Sequence, residues 1–305
     1  MTQDVLDLLV PNQPSRAGLR DRVLLLRSVE NFIGLDQEAL ALLAEHARSR
    51  AYKKGDVIVT EGTAPESIHI VVDGQVTLTR KRSPLVMKSG GGFGLLSVIS
   101  DAPSRRVVAD VDTRTLEIPA KTFKVAIEEN FSLLRNALRM MGTTLLRDRG
   151  SLPANPNDPP TVELGVRFDR PKTLAERLVE LRVGPFATMN LDALVDLARR
   201  MVECRVPAGH LFWSVDDPSG HSLHIDYGRV RCTAADGRHV DVGSNFTLGV
   251  MDVWAAQPRS YAARAETDVI GYVVADQDFL NIMEMHVQVG LELLRSLARQ
   301  MVMND

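Results

Sequence analysis

Two stretches of this sequence share one pattern: FGLLSVISDAPSRRVVA at residues 93–109 and LGVMDVWAAQPRSYAARA at residues 248–265. We call them the first and the second cradle. Each has a glycine before a short apolar run, then a proline, an arginine, and small or β-branched residues that favour a strand. A glycine lets backbone N–H groups approach an anion, and an arginine can bind a phosphate through two parallel hydrogen bonds. The pattern therefore predicts a phosphate-binding loop in each half of the chain.

The landmarks around the cradles indicate an internal repeat. Three of them recur in each half with the same spacing, 23 and then 19 positions: Phe32, Gly55 and Gly74, then Phe186, Gly209 and Gly228. Such agreement over long distances predicts a tandem duplication of a unit of roughly 130 residues.

Within each unit the hydrophobic period changes from that of a helix to that of a strand. Asp36 precedes a helical apolar face and is a suitable N-cap. Alternation over residues 75–79, just after Asp73-Gly74, predicts a strand entered through a tight hairpin. Each unit ends in a long helix with a heptad-like apolar stripe. The predicted fold is mainly β with flanking helices (α+β): two tandem jelly-roll β-barrels, each followed by a long C-terminal helix.

The composition along the chain predicts the domain boundaries. We expect an N-terminal extension at residues 1–17, a first domain at 18–148 and a second at 171–305. Residues 149–170 join them, and their first part is rich in proline and polar residues, which cannot sustain a helix. We therefore expect an exposed linker there.

Each unit resembles a cyclic-nucleotide-binding domain, the regulatory module of the catabolite-activator and cyclic-nucleotide-dependent kinase families. The resemblance rests on the order and spacing of several features: the pattern Gly55-Asp56-x-Ile58 with Gly62, the strand ending at Gly74, Phe93-Gly94, and the stretch from Pro258 to Ala265. It implies a barrel that binds a cyclic nucleotide in its cradle and has no catalytic activity of its own.

The resemblance also implies which residues bind the ligand. They are the glycine and arginine of each cradle with their neighbours: Gly94, Arg105 and Arg106 in the first, and Gly249, Arg259, Ser260 and Ala265 in the second. The family has a glutamate after the glycine, which holds the ribose 2′-hydroxyl, but Leu95 and Val250 stand there. A buried hydroxyl without a partner costs about 1–3 kcal/mol. Two interpretations stay open: a site for cyclic AMP, cyclic GMP, cyclic di-GMP or another phosphate-bearing ligand, or a folded turn whose arginines are satisfied by backbone carbonyls or a carboxylate.

Charge and composition argue against other functional classes. The net charge of −3 gives no general attraction to nucleic acid. Cys204 and Cys232 form no C-x-x-C pair, which argues against a disulfide framework and a cysteine zinc site. The first residues show no basic n-region and no small-residue cleavage site, so we expect no signal peptide. No apolar run approaches the roughly 18 residues of a membrane span. We expect a cytoplasmic protein that binds neither DNA nor membrane and holds no metal.

The long helices are the expected means of signalling. Their stripes predict a homodimer, although packing on their own barrels explains the same pattern. The chain ends at Asp305 inside the last helix, so we expect no DNA-binding domain after it. The predicted function is that of a regulatory protein that senses a ligand and signals to an unidentified protein partner or an oligomer. The alternatives are a ligand-free dimerisation scaffold and a cupin-like metalloenzyme, although the His-x-His strand of a cupin is not found.

Overall fold

The computed structural model describes residues 16–29, 32, 35–81, 83–149, 151–154, 162–183, 186 and 189–304. The predicted extension at 1–17 lies outside these residues except for its last two positions. The helices of this part of the chain are α1 (Arg16–Ser28), α2 (Gln37–His46), α3 (Leu95–Ser100), α4 (Ala120–Glu129), α5 (Phe131–Arg149), α6 (Leu174–Val183), α7 (Leu191–Arg200), α8 (Val250–Ala255), α9 (Asp276–Met285) and α10 (Val287–Asn304).

The strands fall into two sets of eight along the described chain. The first set is β1 (Arg48–Tyr52), β2 (Val57–Val59), β3 (Ser67–Asp73), β4 (Gln75–Leu78), β5 (Leu85–Lys88), β6 (Gly92–Phe93), β7 (Val107–Ala109) and β8 (Thr113–Pro119). The second set is β9 (Val202–Val206), β10 (Leu211–Trp213), β11 (His221–Tyr227), β12 (Val230–Ala234), β13 (His239–Val242), β14 (Thr247–Leu248), β15 (Tyr261–Ala265) and β16 (Val269–Ala275).

The two sets build the same pair of sheets. The first forms sheets of order β1-β8-β3-β6 and β2-β7-β4-β5, and the second forms β9-β16-β11-β14 and β10-β15-β12-β13. All of these pairings are antiparallel. The predicted fold class is confirmed: the chain is mainly β with flanking helices, and each barrel-type domain is followed by a long helix.

The contacts divide the chain into two compact units. Unit 1 contains the described residues of Met1–Ala137 and Leu293–Asp305, and unit 2 contains those of Leu138–Glu292. Both α5 and α10 therefore begin in one unit and end in the other. Among the described residues, no helix is long and apolar enough to cross a bilayer.

Local sequence explains where the helices before each barrel begin. Asp36 is the N-cap of α2 and accepts a hydrogen bond from the N–H of Ala39 at 2.8 Å. Asn190 caps α7 in the same way through the N–H of Ala193 at 2.8 Å. Each cap satisfies a backbone donor that the first turn of a helix leaves without a partner.

The predicted hairpin at Asp73-Gly74 is wrong. The strands on either side of it, β3 and β4, belong to different sheets and do not pair with each other. Beside it, the register of β3 against β8 shifts between Val71 and Asp73. The chain therefore passes from one sheet to the other at Gly74. A turn dipeptide between two strand patterns does not by itself distinguish this crossing from a hairpin.

The described parts of the 149–170 segment are bound to unit 2. The carbonyl of Glu163 accepts a hydrogen bond from the N–H of Ser244 at 2.7 Å, and that of Leu164 from Gly228 at 2.7 Å. Leu152 and Ala154 pack against the core of the unit. Most side chains of residues 163–170 are exposed, but the backbone follows the barrel.

Candidate functional site

The second cradle is built tightly around Gly249. This residue has φ +77° and precedes the short helix α8. Its N–H donates to the hydroxyl of Tyr261 at 2.8 Å. A Cβ atom at this position would lie 2.2 Å from Nη1 of Arg259. Both the left-handed backbone and the close guanidinium therefore require glycine here.

Arg259 lies inside unit 2 and is bound by the unit itself. Its side chain is only 1% exposed. Nη1 donates to the carbonyl of Gly249 at 3.3 Å, and Nη2 donates to the carbonyl of His221 at 2.5 Å. Its Cζ atom lies 4.1 Å from the ring centroid of Trp213, a cation–π contact. Burial lowers the pKa of Arg259. The arginine that the sequence assigns to a phosphate is thus held by two backbone carbonyls and an indole ring.

Several buried polar atoms near Arg259 have no well-formed hydrogen bond among the described residues. They are Nε of Arg259, Nε1 of Trp213 and both carboxylate oxygens of Asp252. Burial raises the pKa of Asp252, while nearby Ser260 and Arg259 act in the opposite direction. Asp252 is 1% exposed. A buried polar group of this kind costs free energy unless a partner reaches it.

The other two predicted residues of the second cradle form hydrogen bonds within the protein itself. The hydroxyl of Ser260 donates to the carbonyl of Ser151 at 3.1 Å. Ala265 is 1% exposed, pairs with Val230 across β12 and β15, and donates its N–H to the carbonyl of His210 at 2.8 Å. Neither contact requires a ligand.

The first cradle repeats the backbone of the second with different side chains. Gly94 has φ +89° and precedes α3. A Cβ atom there would lie 2.6 Å from the carbonyl oxygen of Ser67. Here the close neighbour is the β3 backbone, whereas in the second cradle it is a guanidinium. Leu95 and Val250, which replace the glutamate of the family, are both half-buried at the start of their helices.

The two arginines of the first cradle have different surroundings. Arg105 is half-buried, and its Nη2 donates to the carbonyl of Val302 at 3.0 Å. Arg106 is exposed, and its carbonyl accepts a hydrogen bond from Thr79 at 2.9 Å. Within the described residues neither arginine forms an ion pair. Of the two side chains, that of Arg105 has a hydrogen-bond partner among the described residues, and that of Arg106 has none there.

Sequence reasoning missed three participants in these sites. No binding role is assigned to Trp213 or Asp252 from the sequence, yet both lie beside Arg259. No sequence pattern indicates that these two side chains are buried beside an arginine. Val302 contributes a backbone carbonyl from 197 residues away, and a carbonyl belongs to every residue. Within the part of the chain that the structure describes, no group of three or more histidine, cysteine or acidic residues could hold a metal ion.

Comparison with known proteins supports the family resemblance. Residues 49–130 match the family model of the cyclic nucleotide-binding domain, and this range includes the first cradle. The chain therefore resembles this family, as the sequence predicts. No curated protein matches the chain.

Solved structures similar to the chain include regulatory subunits of protein kinase A. A mutant subunit of a cAMP-independent kinase from Trypanosoma brucei, bound to cAMP in its A site, is 14% identical, with 93% of this chain and 92% of that one covered and a TM-score of 0.37. The regulatory domain from Toxoplasma gondii with cAMP is 13% identical, with 94% and 99% covered and a TM-score of 0.36. The Trypanosoma cruzi subunit bound to guanosine is 14% identical, with 95% and 93% covered and a TM-score of 0.37.

Proposed function

We propose that this chain is a non-catalytic regulatory protein whose first cradle senses a phosphate-bearing ligand, with a cyclic nucleotide as the first candidate. One observation carries the proposal: Arg105 is half-buried within the range that matches the cyclic nucleotide-binding domain, and a single backbone carbonyl is its partner among the described residues. A guanidinium has five N–H donors in a planar fork that suits phosphate oxygens. The carbonyl engages one of these donors, so the guanidinium gives up a single hydrogen bond when it turns to a phosphate.

The missing glutamate limits which ligand features the site can recognise. Leu95 cannot accept a hydrogen bond from a ribose hydroxyl. A hydroxyl buried beside it loses about 1–3 kcal/mol, which corresponds to a factor of about ten to more than a hundred in affinity. We therefore infer that recognition depends on the phosphate more than on the sugar, and that cyclic AMP, cyclic GMP and cyclic di-GMP are all candidate ligands.

The second cradle has a different proposed role. Because Arg259 already binds two carbonyls and stacks on Trp213, we infer that this domain keeps its shape without a ligand. These contacts of Arg259 favour the ligand-free scaffold interpretation for the second domain. A homodimer, a protein partner and a cytoplasmic location stay predictions from the sequence.

Calorimetry on the full chain tests the proposed function. Each of the three cyclic nucleotides is titrated into the wild type, Arg105→Ala and Arg106→Ala. Binding to the wild type should weaken at least tenfold in Arg105→Ala, because a charge-assisted hydrogen bond contributes about 1.5–3 kcal/mol. Arg106→Ala is the matched control, since that side chain is exposed on the neighbouring residue, and it should bind like the wild type.

Two results would contradict this proposal. Absence of heat from all three nucleotides at millimolar concentration would favour the ligand-free scaffold. Binding that is lost in Arg106→Ala, or that persists unweakened in Arg105→Ala, would place the ligand elsewhere.

A further inference from the structure

The first cradle is connected to the last helix of the chain by one hydrogen bond. Nη2 of Arg105 donates to the carbonyl of Val302 at 3.0 Å. Both residues belong to unit 1. In sequence they are 197 residues apart, so the end of the chain is tied to the arginine that we assign to the ligand.

The position of Val302 in α10 explains why a guanidinium is bound there. The helix spans Val287–Asn304, so Val302 lies in its last turn. Carbonyl groups of the last turn lack N–H partners within the helix and carry the negative end of its dipole. Basic side chains near a helix C-terminus hydrogen-bond to such carbonyls. For Arg105, the end of α10 therefore supplies what an anion would supply, a hydrogen-bond acceptor with partial negative charge.

The second cradle has an equivalent contact. Ser260, like Arg105, is the second residue after the proline of its cradle. Its hydroxyl donates to the carbonyl of Ser151, two residues beyond the end of α5, at 3.1 Å. In both units the same position thus binds backbone at the end of a long helix. Only in the first cradle is the donor an arginine that could also bind an anion.

We propose that the last turn of α10 is an intramolecular latch that competes with an anionic ligand for Arg105. The ligand side of this inference rests on the proposed function of the first cradle. To bind a phosphate with two parallel hydrogen bonds, the guanidinium must turn its fork toward the ligand. The hydrogen bond to Val302 holds the fork toward the helix. Ligand binding therefore releases the end of α10, and the latch lowers the affinity of the cradle.

The coupling must act in both directions. If the latch weakens ligand binding by a given factor, then bound ligand weakens the latch by the same factor. A single hydrogen bond from a charged donor is expected to change the ligand affinity, and the stability of the latch, about tenfold. The quantity to measure is the protection from hydrogen exchange of the last two turns of α10, where Leu297 and Ala298 are buried.

The first experiment needs no ligand. Hydrogen–deuterium exchange is measured on the full chain for the wild type, Arg105→Ala, Arg105→Lys and Arg106→Ala. Amides of residues 297–302 should exchange about tenfold faster in Arg105→Ala, because the cap on the last turn is lost. Arg105→Lys keeps a positive charge and a donor and should show a smaller increase. Arg106→Ala should match the wild type.

The ligand-free comparison can overturn the latch by itself. If exchange of residues 297–302 is the same in all four proteins, Arg105 does not hold the helix end. If exchange rises throughout unit 1 in Arg105→Ala, that substitution has loosened more than the helix end, and Arg105→Lys is used in its place. Faster exchange confined to the end of α10 in Arg105→Lys supports the latch, and faster exchange throughout unit 1 contradicts it.

The second experiment repeats the exchange with cyclic AMP, cyclic GMP or cyclic di-GMP at saturation. In the wild type the ligand should speed exchange of residues 297–302 to the level of ligand-free Arg105→Ala. A ligand that binds and leaves this region unchanged or better protected would contradict the competition while the proposed function stands. If none of the three binds, the proposed function fails, and the ligand-free comparison still decides whether the latch exists.

Discussion

At the scale of residues, a displacement of one position separates the two cradle arginines. Ser104 and Arg259 directly follow the proline of their cradles, and they are only 8% and 1% exposed. The next residues, Arg105 and Ser260, are half-buried. Successive side chains of a segment entering a strand point to opposite sides. An arginine directly after the proline is therefore buried, and one placed a residue later is only half-buried.

Alanine substitutions at two glycines test how tightly the second cradle is closed around Arg259. Gly249 and Gly209 both have positive φ, +77° and +87°, but a Cβ atom at Gly209 would meet nothing within 4 Å. Gly209→Ala should lower the free energy of unfolding by about 1 kcal/mol through backbone strain alone. Gly249→Ala should lower it by about 3 kcal/mol, because the methyl group also displaces the guanidinium.

Urea denaturation of both variants provides this comparison. Equal losses for the two substitutions would mean that Arg259 moves aside without cost, and the closed form of the second cradle would then be only one of its accessible states.

At the scale of elements, equivalent strands of the two units each bury a histidine. His69 on β3 is 5% exposed and its Nδ1 lies 3.3 Å from Oγ1 of Thr115. His224 on β11 is 3% exposed and its Nδ1 lies 3.0 Å from Oγ1 of Thr247. Burial lowers the pKa of each imidazole to about 4. For His224, nearby Asp226 opposes this shift and Lys172 adds to it.

The buried histidines predict a loss of stability in mild acid. Since the folded pKa of His224 lies below the unfolded value of 6.5, its neutral form stabilises the fold above pH 6.5. This contribution is lost as the pH falls from 6.5 toward 4, because the unfolded chain takes up a proton that the folded chain does not. Between pH 7 and pH 5 the wild type should lose about 2 kcal/mol more than His224→Asn.

Unfolding by urea at several pH values measures the difference. His210→Asn is the control, since that side chain is exposed, and its pH dependence should match the wild type. A His224→Asn variant with the full pH dependence of the wild type would show that other groups cause the acid sensitivity.

At the scale of the whole molecule, the apolar stripes of the long helices are buried within the chain itself. On α5 they comprise Leu134, Leu138, Met141 and Leu145, and on α10 they include Leu291, Leu294 and Ala298, all at most 4% exposed. A stripe covered in this way does not need a second copy of the chain. The heptad-like spacing that predicts a dimer is equally satisfied by packing within one molecule.

Sedimentation equilibrium tests the homodimer that the sequence predicts. The dimer hypothesis expects about twice the chain mass of 33.6 kDa. A mass of 33.6 kDa at high protein concentration would contradict it and leave the stripes with the packing role that their burial indicates.

The sequence by itself determined the repeat, the mainly β class, the helix caps at Asp36 and Asn190, and the two cradle glycines. These features depend on hydrophobic period and turn chemistry, which act between residues close along the chain. The tertiary structure decided that the strands flanking Gly74 lie in different sheets. It also decided that Arg259 is bound internally and that Arg105 caps the end of α10. Those outcomes depend on backbone carbonyls and ring faces that are distant in sequence, and a carbonyl leaves no mark in a sequence because every residue has one.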